Sequence, residues 1–176
     1  MRTFIAFDFT VDTKANILKI QEDFRKIASG KIKYTDIDQF HLTTFFIGEV
    51  GEKGAGRLAE IINKTEISEP VSLYFDQLDY FPTKKNPRVI VLKAEAEPIL
   101  KDLVKNMDHD LFKLGFKRDK KWLPHITLGR IRDAFSAGEF NFSPFTAKIE
   151  SLTLYKSTLT KSGAIYEKLA EKKINQ

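Results

Sequence analysis

The same order of segments occurs twice in this sequence, and the repeat constrains the fold more than any other feature. An apolar segment at residues 2 to 9 precedes His41, and a second one at residues 88 to 95 precedes His125. In each half, a helix-like segment with apolar residues every three or four positions lies between the apolar segment and the histidine. The repeat predicts an α+β fold of two similar lobes related by a pseudo-twofold axis, with the histidine strands as neighbours or mirror images.

The rest of the chain can be divided into further elements. The first helix is expected from a cap at Asp12 to about Ser29, with Gly30 at its C-terminus, and the other helix of the repeat from Pro98 to Gly115. A turn is predicted at residues 82 to 88 and another at 160 to 163. The remaining predicted elements are strands at 41–50, 70–81, 125–131, 147–159 and 164–172 and a helix at 55–64.

Composition limits the classes of protein to which the chain can belong. With 176 residues, 42% hydrophobic residues and 15 Phe, it fits one packed domain spanning residues 1–176. The absence of cysteine excludes disulfides, thiolate metal sites and a cysteine nucleophile. No signal peptide or membrane-spanning run is recognisable, so a cytoplasmic monomer is expected. The net charge of +5 mildly favours a polyanionic partner.

Two short motifs, "HLTT" at residues 41 to 44 and "HITL" at residues 125 to 128, each place a threonine two positions after a histidine. Residues i and i+2 of a strand point to the same face, so His41 and Thr43 form one imidazole–hydroxyl pair, and His125 and Thr127 form another. One such histidine is most simply a half-buried polar residue of a strand. Two at matching positions of a repeat indicate a shared site, whereas His109 lacks the threonine and is interpreted as a surface or capping residue.

Paired imidazoles without a thiol suit a reaction that removes one proton and delivers another near neutral pH, such as cleavage of a phosphodiester. Hydroxyls and a cation would hold the phosphate oxygens. A metal site is the competing interpretation, but neither His41 nor His125 has a second His, Asp or Glu two to four residues further on. No metal and no cofactor is therefore expected.

Five stretches resemble the two-histidine (2H) phosphoesterases, and within them the RNA 2',3'-cyclic phosphodiesterases that were historically called 2'-5' RNA ligases. These stretches are "MRTFIAFDF", "HLTTFFIGEV", "FPTKKNPRVIVL", "LPHITLGRI" and "SLTLYKSTLTKSGAIYE". The resemblance implies a bilobed α+β fold, with two pseudo-symmetric lobes of antiparallel sheet, outer helices and a central cleft. It also implies metal-independent hydrolysis of an RNA-terminal 2',3'-cyclic phosphate to a 2'-phosphate, possible in reverse as 2'-5' ligation.

Carried over residue by residue, the resemblance makes His41 the general acid and His125 the general base, with Thr43 and Thr127 on the phosphate oxygens. Arg130 matches the arginine that follows the family's second motif. By strand alternation, however, Arg130 points away from His125, and it reaches the site only through a bulge after Gly129 or at the strand end. A structural salt bridge is its alternative role.

Two other features leave alternatives open. Phe45 replaces a lysine of the family's pattern and shares the face of His41, so it either stacks on a nucleobase or packs in the core. A non-catalytic module that binds RNA ends or a nucleotide is the rival function.

Two basic clusters are expected to flank the cleft and attract RNA: Lys84, Lys85 and Arg88, and Lys117, Arg118, Lys120 and Lys121.

Overall fold

A computed structural model describes residues 1–67, 70–161 and 163–174 and contains strands, helices and one short 3-10 turn. In chain order the elements are β1 (Arg2–Phe9), α1 (Val11–Ile27), β2 (Ala28–Tyr34), a 3-10 turn (Ile37–Gln39), β3 (His41–Glu49), α2 (Glu52–Lys64), β4 (Ser72–Thr83), β5 (Asn86–Ala96), α3 (Pro98–Lys113), β6 (His125–Ala137), β7 (Phe145–Leu159) and β8 (Ala164–Lys173). Every strand pair is antiparallel. The predicted α+β class is confirmed.

The strands form two lobes that β7 joins. The order across the sheet is β2-β6-β5-β4-β7-β1-β3, and β8 pairs with β7. One lobe contains β2, β6, β5 and β4, and the other contains β7, β1, β3 and β8. They meet where Ser72–Phe75 of β4 pairs with the start of β7. The histidine strands β3 and β6, which belong to different lobes, also contact each other, so the curved sheet brings the two motifs face to face.

The strand register reproduces the repeat that the sequence predicts. Asp8 of β1 lies opposite His41, and Lys93 of β5 lies opposite His125. In the same way, Ala6 is paired with Thr43 and Val91 with Thr127. Each histidine strand therefore has an equivalent partner strand in its own lobe, and the two lobes present equivalent faces to the cleft.

The helices cover the core through the apolar faces that their spacing predicts. The buried helical residues include Ile17, Ile20 and Phe24 of α1, Leu58 and Ile62 of α2, and Leu100, Val104, Met107 and Leu111 of α3. They pack with buried strand residues such as Phe7 and Leu42. Within the described residues, no helix combines the length and apolar character needed to cross a membrane.

The predicted bounds of the first helix are wrong at both ends. Thr10, not Asp12, caps α1, because its hydroxyl accepts from the backbone N–H of Thr13 at 3.4 Å. The helix ends at Ile27, because the following residues pair with β6 as β2. Gly30 lies inside β2 with φ +106°, and a Cβ there would be 1.6 Å from the carbonyl oxygen of Ala134. This glycine allows close strand approach instead of ending a helix.

One of the two predicted turns is shorter than expected. The turn predicted at residues 82 to 88 is reduced to Lys84 and Lys85, because Thr83 pairs with Asn86 and extends β4 and β5 into a tight hairpin. The C-terminal hairpin forms as predicted by β7 and β8. Its turn includes Ser162, which lies outside the described residues.

Candidate active site

A cleft of about 940 Å³ contains both motifs. Its lining includes His41, Thr43, His125, Thr127 and Arg130. The histidines and threonines are half-buried, and Arg130 is exposed. Five of the six site residues predicted from the sequence therefore meet in one cleft, and His109 lies exposed on α3 away from it.

Both imidazoles are oriented by the same local hydrogen bond. The Nδ1 of His41 lies 2.7 Å from the carbonyl oxygen of Gln39, and the Nδ1 of His125 lies 2.7 Å from the carbonyl oxygen of Leu123. Because a carbonyl only accepts, each Nδ1 carries a hydrogen and donates it. The neutral form of each ring then has its lone pair on Nε2, the atom available for proton transfer.

The charges around the two rings differ. Burial lowers the pKa of His41, and the Gln39 carbonyl and the Asp8 carboxylate oppose that effect, while Lys14 and His125 add to it. Burial also lowers the pKa of His125, where the Leu123 carbonyl opposes it and Arg130 lowers it further. A carboxylate thus favours the protonated form of His41, and a guanidinium favours the neutral form of His125.

A bulge turns Arg130 toward the cleft. In β6, Thr127 pairs with Val91 and Gly129 pairs with Ile90, so Leu128 is an extra residue without a partner. The extra residue shifts the alternation by one, and Arg130 joins the face of His125 and Thr127. The bulge is at Leu128 rather than after Gly129, but it has the effect that the sequence analysis required.

An equivalent bulge in β3 decides between the two interpretations of Phe45. Thr43 pairs with Ala6 and Phe45 with Ile5, so Thr44 is the extra residue. Phe45 is consequently buried in the core, at 3% exposure, and does not line the cleft. The next ring, Phe46, is 73% exposed and lines it instead. Phe46 occupies the position in β3 that Arg130 occupies in β6, and sequence alternation alone missed it.

Asp8 is a further residue that the sequence analysis missed. Its carboxylate is buried, and Oδ2 accepts hydrogen bonds from Tyr155 at 2.6 Å, Thr153 at 2.9 Å and Ser151 at 3.4 Å. The ammonium of Lys168 lies 3.6 Å from the same oxygen. Burial and the hydrogen bond to Asp8 raise the pKa of Tyr155, so the phenol remains a donor to Asp8. These bonds hold the carboxylate of Asp8 in place on the strand next to His41.

Aromatic rings fix the position of each imidazole. The ring of His41 lies 5.1 Å from that of Phe4 and 5.4 Å from that of Tyr166, edge to face with the latter. The ring of His125 lies 4.9 Å from that of Phe81, also edge to face. Such contacts restrict ring rotation and leave the Nε2 atoms directed by the Nδ1 hydrogen bonds.

The connector between α3 and β6 holds β3 from the opposite lobe. Trp122 Nε1 donates to the carbonyl oxygen of Thr43 at 3.1 Å. Arg118 lies over the ring of Phe45 at 4.8 Å and makes two hydrogen bonds to Asp108, at 2.6 and 2.8 Å. Arg118 therefore has a structural role in joining the lobes.

The two basic clusters that were expected to flank the cleft are not part of its lining. The lining of the cleft includes none of Lys84, Lys85, Arg88, Lys117, Arg118, Lys120 and Lys121. Its cations come from elsewhere in the chain, because strand ends and turns that are distant in sequence meet at the cleft. Among the described residues, no three His, Asp or Glu side chains are grouped closely enough to hold a metal ion.

Comparison with known proteins gives a consistent result. The family described as LigT like phosphoesterase matches residues 8–91 and again residues 92–166. The RNA 2',3'-cyclic phosphodiesterase of Methanocaldococcus jannaschii is 33% identical, over 97% of this chain and 99% of its own. That of Thermotoga maritima is 33% identical, over 97% of this chain and 94% of its own.

Solved structures have the same fold. The crystal structure of TT0787 from Thermus thermophilus has a TM-score of 0.81 and 26% identity, over 99% of this chain and 98% of that one. E. coli LigT in complex with 3'-AMP has a TM-score of 0.74 and 23% identity, with the same coverage. The predicted bilobed architecture is thus confirmed.

Proposed function

Because this chain belongs to the LigT-like phosphoesterase family, we propose that it is an enzyme that hydrolyses the 2',3'-cyclic phosphate at an RNA end to a 2'-phosphate. The observation that carries the proposal is the pair of imidazoles in one cleft, each with Nδ1 bound to a carbonyl and Nε2 available. The relatives named RNA 2',3'-cyclic phosphodiesterase support the substrate class. A module that only binds RNA ends has no need of such a pair.

The proposed reaction uses one proton transfer at each imidazole. Neutral His125 accepts a proton from water at Nε2 while the water oxygen attacks phosphorus. The bond from phosphorus to the 3' oxygen breaks, and protonated His41 donates its Nε2 proton to that oxygen. The product has a 2'-phosphate and a free 3' hydroxyl. The two imidazoles regain their starting forms by exchanging protons with solvent.

The surroundings of the rings support this assignment of roles. Asp8 lies opposite His41 and favours its protonated form, as a general acid requires. At the equivalent position Lys93 lies opposite His125 but is paired with Asp79 at 3.4 Å. Arg130 lowers the pKa of His125 and so favours the neutral form that a general base requires.

The other proposed roles concern the phosphate. Thr43 and Thr127 line the cleft on the strand faces of the histidines, and in the proposed role their hydroxyls would donate to the phosphate oxygens. Arg130 would stabilise the negative charge that develops on those oxygens in the transition state. The reverse reaction, with a 5' hydroxyl in place of water, would give a 2'-5' bond through the same groups.

Both halves of the site belong to one polypeptide, so the site is complete without a second copy. We therefore propose that one chain, acting as one bilobed unit, is the functional form. An RNA substrate accords with the cytoplasmic location expected from the sequence.

The test is phosphorus NMR of a 2',3'-cyclic mononucleotide incubated with the purified protein. We expect a 2'-phosphate as product, unaffected by a chelator, and a loss of about 10² to 10⁴ in rate for His41→Ala and for His125→Ala. His109→Ala is the matched control, because this third histidine is exposed on α3, and it should keep full activity. Folded protein that binds the nucleotide without converting it would establish the binding module instead.

A further inference from the structure

The cleft extends beyond the two histidines into a strongly basic region. Five of its lining residues are cations, namely Arg2, Lys33, Arg130, Arg132 and Lys161, and one, Asp36, is an acid. The whole chain has a formal net charge of only +5. Positive charge is therefore concentrated in the cleft, whereas the rest of the surface is nearly balanced.

Several of these cations have no acidic partner. In the part of the chain that the structure describes, no carboxylate forms an ion pair with Arg2, Arg132 or Lys161. Lysines elsewhere on the surface do form such pairs, for example Lys26 with Asp23 at 2.6 Å and Lys156 with Glu167 at 2.8 Å. Grouped cations without counter-charges repel one another, and a bound polyanion would relieve that repulsion.

Exposed apolar side chains lie among these cations. Phe46, Leu159 and Ile165 are 73%, 69% and 58% exposed, and all three line the cleft. Phe46 pairs with Phe4 across β1 and β3, so it lies on the strands between the level of His41 and that of Arg2. An exposed ring between a reactive site and a group of cations is a pattern suited to single-stranded nucleic acid, whose bases stack while its phosphates pair with cations.

We propose that this end of the cleft binds the single-stranded nucleotides that precede the cyclic phosphate, with a base on Phe46 and phosphates on Arg2, Arg132 and Lys161. We call these four residues the strand track. The inference rests on the proposed function and specifies its substrate as an oligonucleotide end. The rest of an RNA lies on the 5' side of its cyclic end. A base or phosphate of the RNA that is bound outside the acid–base site therefore belongs to the nucleotides on that 5' side. The cleft volume, about 940 Å³, is near the upper end of the range of roughly 300 to 1,000 Å³ for small-ligand pockets.

The test compares kcat/KM for a 2',3'-cyclic mononucleotide with kcat/KM for a single-stranded trinucleotide that has the same cyclic end. We expect the wild-type protein to favour the trinucleotide, more so at low salt. Arg132→Gln should lower the ratio of the two values by about tenfold, the effect of losing one charge-assisted hydrogen bond. The salt dependence of log KM for the trinucleotide should lose about 0.7 in slope, the value for one phosphate contact on a single strand.

Lys105→Gln is the matched control, because it removes the same charge from an exposed residue of α3 outside the cleft lining, and it should leave the ratio unchanged. Phe46→Leu should lower the ratio without changing the salt slope, since it removes stacking and no charge. Equal values for the two substrates in the wild type would overturn the track, as would an effect of Lys105→Gln equal to that of Arg132→Gln. So would an Arg132→Gln variant that lowers both values alike, because Arg132 would then serve the acid–base site.

If neither substrate is hydrolysed, the proposed function fails and the track is tested by binding alone. Isothermal titration would then compare a 3'-phosphorylated trinucleotide with a 3'-mononucleotide. Tighter binding of the trinucleotide that weakens in Arg132→Gln would support the track. Equal affinities would overturn it.

Discussion

The substitution Asp8→Asn tests whether the buried carboxylate keeps His41 in its acidic form. Asparagine has the same shape, so the substitution removes the charge while retaining an oxygen that accepts from Tyr155, Thr153 and Ser151. Because the Asp8 carboxylate raises the pKa of His41 against the effect of burial, its removal lowers that pKa. A smaller fraction of His41 is then protonated at neutral pH, and kcat/KM falls.

The expected size of the effect follows from the distance between the two side chains. Asp8 and His41 are directly opposed on antiparallel strands, a geometry that separates side-chain charges by about 6 Å. A unit charge at about 6 Å contributes about 2.8 kcal/mol in an effective dielectric of about 20. Lys168, 3.6 Å from Asp8, offsets part of this. If Lys168 offsets about half of the 2.8 kcal/mol, about 1.4 kcal/mol remains, which is about one unit in the pKa of His41. The protonated fraction of His41 at neutral pH, and with it kcat/KM, should then fall about tenfold.

The assay is the pH dependence of kcat/KM for a 2',3'-cyclic mononucleotide. Burial lowers the pKa of both histidines, so we expect a bell-shaped profile for the wild type with its maximum below pH 6.5. In Asp8→Asn the alkaline limb, which reports loss of the proton of His41, should move to lower pH while the acid limb stays in place. Asp102→Asn, at an exposed carboxylate of α3, should move neither limb. A shift of the acid limb, or lower activity with both limbs unmoved, would refute the reasoning.

Three further predictions concern stability and the support of the site. Because burial lowers the pKa of both histidines, the unfolded chain binds more protons than the folded one as the pH falls through 6.5, and stability to urea should decrease there. The double variant His41→Gln/His125→Gln should show a shallower decrease. The same dependence of stability on pH in the variant and the wild type would contradict this. Gly30→Ala should destabilise the fold by at least about 2 kcal/mol in urea titrations, because its Cβ would meet a main-chain carbonyl; Gly56→Ala, inside α2 with nothing within 4 Å of its added Cβ, should stabilise it by about 0.5 to 1 kcal/mol. Trp122→Phe removes the hydrogen bond to the Thr43 carbonyl and should lower kcat by several-fold and the free energy of unfolding by about 1 kcal/mol. Unchanged kcat in the folded variant would show that this bond does not position β3.

The sequence predicts the histidine–threonine pairs well because their alternation depends only on residues i and i+2 of one strand. It fails at Phe45 because an added residue in a strand can be recognised only from the register of the partner strand, and that register is a tertiary property. The equivalent bulges at Thr44 and Leu128 reverse the alternation after each motif, which brings Arg130 into the cleft and buries Phe45. A bulge invoked for Arg130 applies equally to the other half of the repeat, so the exposure of Phe46 could have been predicted.

Residues that depend on distant parts of the chain were beyond sequence reasoning. The donors to Asp8 lie on β7, between Ser151 and Tyr155, and no local pattern associates them with β1. The cations of the cleft are similarly dispersed in the sequence, whereas the clusters that are conspicuous in the sequence contribute no residue to its lining. Lys84 and Lys85 form a hairpin turn, and Arg118 is paired with Asp108. Local charge density therefore predicted the sign of the partner but not the residues that face it.

The repeat also explains why the proposed acid and base cannot be told apart from their motifs. Two equivalent imidazole–hydroxyl pairs are chemically interchangeable, and only residues that differ between the lobes can orient a substrate. The positions after the two bulges differ in this way, because the lobe of His41 presents the exposed ring of Phe46 and the lobe of His125 presents the guanidinium of Arg130. The RNA strand, stacked on this ring, would then approach from the side of His41, and the phosphate charge would lie toward the guanidinium. The leaving 3' oxygen belongs to the ribose attached to that strand, so it would lie nearer His41, the same histidine whose protonated form Asp8 favours.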